Sequence, residues 1–298
     1  MVLRFFMLAV AFLLSCTDVE RDDPDDPKSK YYNRGRVSSS SVVAAVPSSS
    51  SQFTLIRGPS VTYGGEDYKT VVIGSQTWMA RNLNYEVPGS KCGNGRNLVD
   101  RDTETCETYG RLYNWATAMA LDASCNSNSI SCASQIKSKH RGICPSGWHI
   151  PSKVDWETLM KFVNPSCSDP RYPSCPAGAG TGVGTNLKAA GGWNTFGAAP
   201  KGTDDFGFSA LPGGGSELYM CLNCDDHPSS FGDVGDKGHW WTASECEFTW
   251  NNSNDWPPID HVEKAACRCS MGYNEEDLEM GPILKKEFLS VRCVQDSP

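Results

Sequence analysis

Cysteine spacing constrains this chain more than any other feature. Of its fourteen cysteines, thirteen lie between Cys92 and Cys293. Cys92 and Cys106 flank the polar loop Gly93 to Thr105. Cys125 and Cys132 bracket a Ser/Asn loop, and Cys167 and Cys175 a Pro-rich one. Loops this short close easily, so each pair is read as a disulfide. A bridge across the first loop is worth about 3 kcal/mol. Cysteine use at this density without a metal points to an oxidising compartment. Thirteen is odd, so at most six intrachain bridges form and one thiol is left over.

The N-terminus is read as the address. Met1 to Arg4 is a short basic start, and Phe5 to Leu14 is an apolar run too short to span a bilayer. It fits a signal-peptide core. Leu13-Leu14-Ser15-Cys16 resembles a bacterial lipobox, which implies cleavage before Cys16 and lipid on its sulfur. Two or three acyl chains anchor stably. An ordinary signal peptide with an incidental cysteine is the alternative. The acidic run that follows, from Asp18 to Asp26, stays solvated. It also resembles the export signals of surface-exposed lipoproteins. Ser38–Ser41 and Ser48–Ser51 surround a short apolar island. Residues 16–60 are therefore read as a flexible tether, spanning roughly 35–40 Å as a coil. The folded domain is expected from residue 61 to 298, behind a signal peptide at 1–15.

The formal charge of −8 argues against a nucleic-acid partner, which needs a basic footprint. It argues equally against docking on anionic lipid by charge.

Within the domain, Tyr68 to Ala80 reads as a hairpin turning at Gly74-Ser75. Leu112 to Leu121 has apolar residues at helical spacing and is expected to be a short helix. In Ile143 to Met160, Pro145 and Gly147 mark a turn and Ser152 is an N-cap with Asp155 three residues on. Trp156, Leu159, Met160 and Val163 then make an apolar helix face. Gly178 to Gly184 reads as a loop without the dinucleotide-binding spacing. Short strands are expected at 206–211, 239–244, 265–271 and 288–294. Helices early and strands late make an α+β class.

Six ordered motifs carry a family resemblance. They are Gln76-Thr77-Trp78-Met79-Ala80-Arg81-Asn82-Leu83, Tyr109 to Trp115, Cys144 to Pro151, Gly207 to Gly214, Trp240-Trp241-Thr242-Ala243-Ser244-Glu245 and Leu289 to Val294. Over about residues 66–296 the chain resembles the Fibrobacter succinogenes major paralogous domain, found in secreted and lipid-anchored bacterial proteins. The resemblance implies a C-type-lectin-like fold, with two helices flanking a small antiparallel sheet and long loops. It also implies a long bridge, Cys144–Cys293. Cys221, Cys224, Cys246, Cys267 and Cys269 depart from the family core as a local elaboration, with Cys221 and Cys224 as further disulfide candidates.

Candidate chemistry is sparse. The loop and strand motifs of calcium-dependent sugar chelation are missing, and Asp233 and Asp236 match no EF-hand loop. Cys221, Cys224, Cys267 and Cys269 have zinc-ligand spacing, but disulfides are the reading in an oxidising compartment. No metal or cofactor is expected. His149, between Trp148 and Ile150, is read as a structural histidine. No catalytic motif stands out, so the expectation is a non-catalytic domain; a formylglycine-generating-type oxidase, which shares the implied fold, is a remote alternative. Trp193, Trp250 and Trp256 sit in Asn/Gly/Pro-rich contexts, where an indole can stack on a sugar ring. They are the ligand-binding candidates. The expected protein is an outer-membrane lipoprotein at the cell surface. Its membrane contact is the N-terminal lipid, and its domain binds plant-cell-wall polysaccharide or an envelope protein. A structural envelope module without a small ligand is the alternative.

Overall fold

The computed structural model describes residues 54–93, 98–101, 103–165, 182–197, 199, 201–216, 231–251 and 260–296, with only the backbone at 250, 251, 260 and 261. Cys16, the signal peptide, the tether as far as residue 53, Cys167, Cys175, Cys221, Cys224 and Trp256 lie outside the described residues.

The strands follow in chain order. The first seven are β1 (Ile56–Tyr63), β2 (Glu66–Ile73), β3 (Gln76–Met79), β4 (Cys92–Gly93), β5 (Leu98–Val99), β6 (Leu112–Tyr113) and β7 (Trp148–His149). Next come β8 (Gly213–Ser216), β9 (Phe231–Val234), β10 (Lys237–Asn251) and β11 (Asp260–Gly272). The last are β12 (Glu279–Ile283), β13 (Leu289–Ser290) and β14 (Val294–Gln295). The helices are α1 (Glu104–Tyr109), α2 (Trp115–Ala118), α3 (Lys153–Val163) and α4 (Val183–Leu187).

One sheet has the order β1-β2-β3-β14-β7. A seven-stranded sheet runs β12-β11-β10-β13-β6, with β8 branching from β10 and β9 pairing with β8, and β4-β5 form a small third sheet. Among the described residues strand dominates, and only α3 exceeds six residues. This overturns the expected α+β, C-type-lectin-like arrangement of two helices on one small sheet: the domain is β-rich. The segment Leu112 to Leu121 shows why. Leu112 and Tyr113 pair with Ser290 and Leu289 as strand, and Asn114 caps a helix that ends at Ala118. The apolar spacing there reflects burial on both sides of a strand–helix junction, not one long helical face.

Other local readings stand on visible causes. Gly74, at φ 61°, makes the β2–β3 turn. Ser152 Oγ accepts from the Asp155 amide at 3.2 Å, and Asp155 Oδ2 accepts from the Ser152 amide at 2.8 Å. This reciprocal cap starts α3, and such caps are worth about 1 kcal/mol. Trp156, Leu159, Met160 and Val163 then bury one helix face in the core beneath β2, β3 and β11. Burial of such side chains contributes about 1.5–3 kcal/mol each. A second core lies around Tyr113, Trp115, Trp148 and Trp241.

Two further expectations shift. β1 begins at Ile56, inside the stretch read as tether, because Gly58 and Pro59 break its alternation at a bulge. The expected strand at 206–211 is absent as well: Gly207 and Ser209 have positive φ, and only Ala210 makes a bridge, to Lys188. The end of the glycine-rich stretch is the start of α4. A Cβ on Gly182 would sit 2.0 Å from the Glu276 carbonyl oxygen, so close backbone packing requires glycine there.

Candidate functional site

The six motifs fold into a buried polar frame. Asn82 Oδ1 accepts from Trp240 Nε1 at 2.8 Å and from Arg292 Nη2 at 2.8 Å. The Arg292 guanidinium lies 4.3 Å from the Phe208 ring centroid and donates to the Phe208 carbonyl. Burial pulls its pKa down to about 9, against the opposing pull of Asp204. Trp115 Nε1 donates to the Thr242 carbonyl at 3.0 Å, and Trp241 Nε1 to the Tyr113 carbonyl at 2.6 Å. Glu245 Oε1 meets Lys285 Nζ at 2.5 Å and the Cys132 amide at 2.8 Å. Buried polar groups need such partners, and these motif side chains find them inside the fold.

His149 belongs to the same frame. Its Nδ1 lies 2.6 Å from Asp296 Oδ1, and its Nε2 lies 3.5 Å from Asp155 Oδ2. Burial pushes the imidazole pKa down, but hydrogen bonds and charge from Asp155 and Asp296 outweigh it, and the net direction is up. The ring therefore clamps the start of α3 to the last strand.

What faces outward is different. Phe196 is 69 % exposed, and its ring meets Tyr273 edge-on, with centroids 5.9 Å apart. The two sit on separate loops that hydrogen bonds tie together. The Asn194 amide donates to the Gly235 carbonyl at 2.8 Å, and Asn194 Nδ2 donates to Asp236 Oδ1 at 2.7 Å. The Tyr273 amide donates to the Asp236 carbonyl at 2.7 Å, and the Asp236 amide to that of Asp233 at 2.9 Å. Asp233 and Gly235 take positive φ to form this turn. The result is an aromatic pair on a braced surface, with the carboxylates of Asp233 and Asp236 in the same turn. Aromatic faces displayed this way suit apolar faces of sugar rings.

Trp193, three residues before Phe196, packs against the core instead. Its Nε1 donates to the Ala210 carbonyl at 3.0 Å, and Lys188 Nζ lies 5.3 Å from its ring centroid. Lys188 in turn donates to the carbonyls of Gly272 and Glu275, either side of the Tyr273 turn, at 3.0 and 2.6 Å. Burial lowers the Lys188 pKa to about 8, against the charges of Glu275 and Glu276. Trp193 is thus half-buried packing. Trp250 lies near the far end of β10, where its backbone pairs with His261. The backbone of Trp250 thus lies at the far end of β10 from the Gly235 turn that Asn194, next to Trp193, engages. Phe196 and Tyr273 escaped sequence reasoning because neither lies in a periodic pattern. The Asn/Gly context of residues 191–197 was the one available signal.

Cysteine pairing is direct. Cys92 is bonded to Cys106, Cys125 to Cys132, and Cys144 to Cys293. Cys246 is bonded to Cys267, which removes Cys267 from a four-sulfur zinc arrangement. Cys269 is a buried free thiol, and burial pushes its pKa well up.

A family model described as the Fibrobacter succinogenes major domain matches residues 71–295. No curated protein and no solved structure matches the chain.

Proposed function

The chain belongs to the Fibrobacter succinogenes major domain family, and from that premise we propose that its folded part is a non-catalytic binding domain for extracellular polysaccharide. In this reading lipid on Cys16 holds it at the outer surface of the cell, and Phe196 with Tyr273 contacts the ligand. The observation that carries the reading is the exposed Phe196 ring set against the half-buried Tyr273 on hydrogen-bonded loops. Stacking surfaces serve binding best when the loops beneath are already ordered. Four bridges among the described residues favour an oxidising location outside the cytoplasm. The motif side chains point to scaffolding, since Asn82, Glu245 and Arg292 are engaged internally, Glu245 with Lys285.

That inward frame also favours a second reading, a structural envelope module with no small ligand. Retention of the full chain on insoluble cellulose, xylan and mannan separates the two. Binding predicts retention on at least one of these glycans, lost in Phe196→Ala and Tyr273→Ala. Retention on none of them assigns the structural role. Retention unchanged in both variants but lost in Trp256→Ala would move the site to the segment after β10. Mass spectrometry of the N-terminal peptide, together with protease treatment of intact cells, tests the lipid and the surface location.

A further inference from the structure

Phe196 and Tyr273 sit among carboxylates. Asp233 and Asp236 belong to the turn that braces the rings, and Glu275, Glu276 and Asp277 follow Tyr273 along the chain. Backbone contacts hold these groups close to the rings. The Asp236 carbonyl takes the Tyr273 amide at 2.7 Å, and the Glu275 amide closes the Tyr273 turn on the Gly272 carbonyl at 3.2 Å. The Glu275 carboxylate folds over Gly272, the residue before Tyr273, since a Cβ added there would lie 2.7 Å from its Oε2. Glu276 is exposed, and Asp233, Asp236, Glu275 and Asp277 are half-buried.

Cations adjoin this surface at Lys188 and Lys237. Lys188 is wholly buried, with its ammonium on the carbonyls of Gly272 and Glu275. Lys237 stands opposite Gly272 in the β10–β11 register. Against these two positive charges stand the five carboxylates. Asp277 registers the excess: burial, and then the charges of Glu276 and Glu279, push its carboxyl pKa up. A carboxylate only accepts hydrogen bonds, so it takes a sugar hydroxyl and repels a sugar carboxylate. Screening at physiological salt acts over about 8 Å, so a ligand charge on these rings feels the groups beside them. A net excess of a few unit charges at that range lowers the affinity of such a ligand about tenfold.

We propose that this surface selects uncharged polysaccharide and rejects chains whose sugars carry carboxylates, a selectivity that rests on the binding role given to Phe196 and Tyr273.

Retention of the full chain on matched insoluble glycans tests this. The pairs are cellulose with C6-oxidised cellulose, mannan with polymannuronate, and unbranched xylan with glucuronoxylan, which differ in the carboxylate. The quantity read is the part of the retention that Phe196→Ala removes. At about 0.02 M salt the neutral member should be retained about tenfold better than its acidic counterpart, and at about 0.5 M salt the gap should narrow. Glu276→Lys reverses the exposed charge and should narrow the gap about threefold at the lower salt. Acidic chains retained as well as neutral ones at low salt, or a gap indifferent to both salt and Glu276→Lys, overturn the selectivity and leave polysaccharide binding standing. Retention on no neutral glycan removes the binding role itself, and the selectivity with it.

Discussion

Arg292 closes on Asn82 through two nitrogens, with Nε at 3.1 Å and Nη2 at 2.8 Å from the same side-chain oxygen. The pair joins the loop after β3 to the segment just before β14, across 210 positions of sequence. Trp240 Nε1 shares that oxygen, so one amide organises three elements. Asn82 Nδ2 completes the junction by donating to the Tyr109 carbonyl at 2.8 Å.

Removing this amide should therefore cost more than an average hydrogen bond. Asn82→Ala takes the acceptor from the buried Trp240 N–H and from two nitrogens of Arg292, which keeps only backbone carbonyls of the 208–209 segment, and each buried donor left unpaired costs about 1–3 kcal/mol. Urea unfolding of the oxidised protein measures this directly. A loss below about 1 kcal/mol would show that water or a shifted backbone replaces Asn82 without difficulty.

The bridges should rank by the loops they close. Cys144–Cys293 spans 149 positions, Cys246–Cys267 spans 21, and Cys125–Cys132 only 7. Chain entropy then assigns losses of about 5, about 3 and about 2 kcal/mol when each pair is replaced by alanine. Denaturation of the three double variants checks the order. If Cys125–Cys132 proves the most costly, local packing rather than loop closure governs. That bridge lies beside the Glu245–Lys285 pair, through the Cys132 amide and the Ile130 carbonyl, so such an outcome would have a clear source.

What was legible in the sequence was short in range. The Ser152–Asp155 cap, the Gly74 turn and the close cysteine pairs all depend on residues within about fifteen positions of each other. The segment 206–211 shows why the rest was hidden. Its alternation of apolar residues suggests a strand, but the Phe208 carbonyl is taken by Arg292, and Asp204 takes both the amide and the hydroxyl of Ser209. A distant arginine replaces the strand partner, and no local pattern announces it. The aromatic surface was hidden likewise, because Phe196 and Tyr273 are 77 positions apart and meet only through the turn at Asp236. Trp193 is the larger ring in that stretch, but its N–H is taken by the Ala210 carbonyl and the side chain packs inward. The β-rich class is hidden in the sequence for a related reason. The strands of the seven-stranded sheet include pairs of only two residues, such as β6 with β13, too short to show a period.

His149 gives the domain a stability profile with a defined direction in pH. Its folded-state pKa is raised above the ordinary 6.5, since the contacts with Asp155 and Asp296 outweigh the effect of burial. A group with a raised folded pKa stabilises fully below its unfolded value and loses that contribution as pH climbs through the folded value. Asp155 has the opposite sign. Burial raises its pKa, but His149 and Ser152 lower it more, to a net value below 3.8. Its contribution is present above 3.8 and fades as pH falls through the depressed value. The clamp is thus strongest between those limits. His149→Gln should cost about 1.5–3 kcal/mol at about pH 5.5, the range for hydrogen bonds to charged groups, and markedly less at about pH 8.5. Urea unfolding of both proteins at these two pH values provides the comparison. An equal cost at both would mean that the imidazole acts through packing alone, and that its protonation has no part in holding α3 to the final strand.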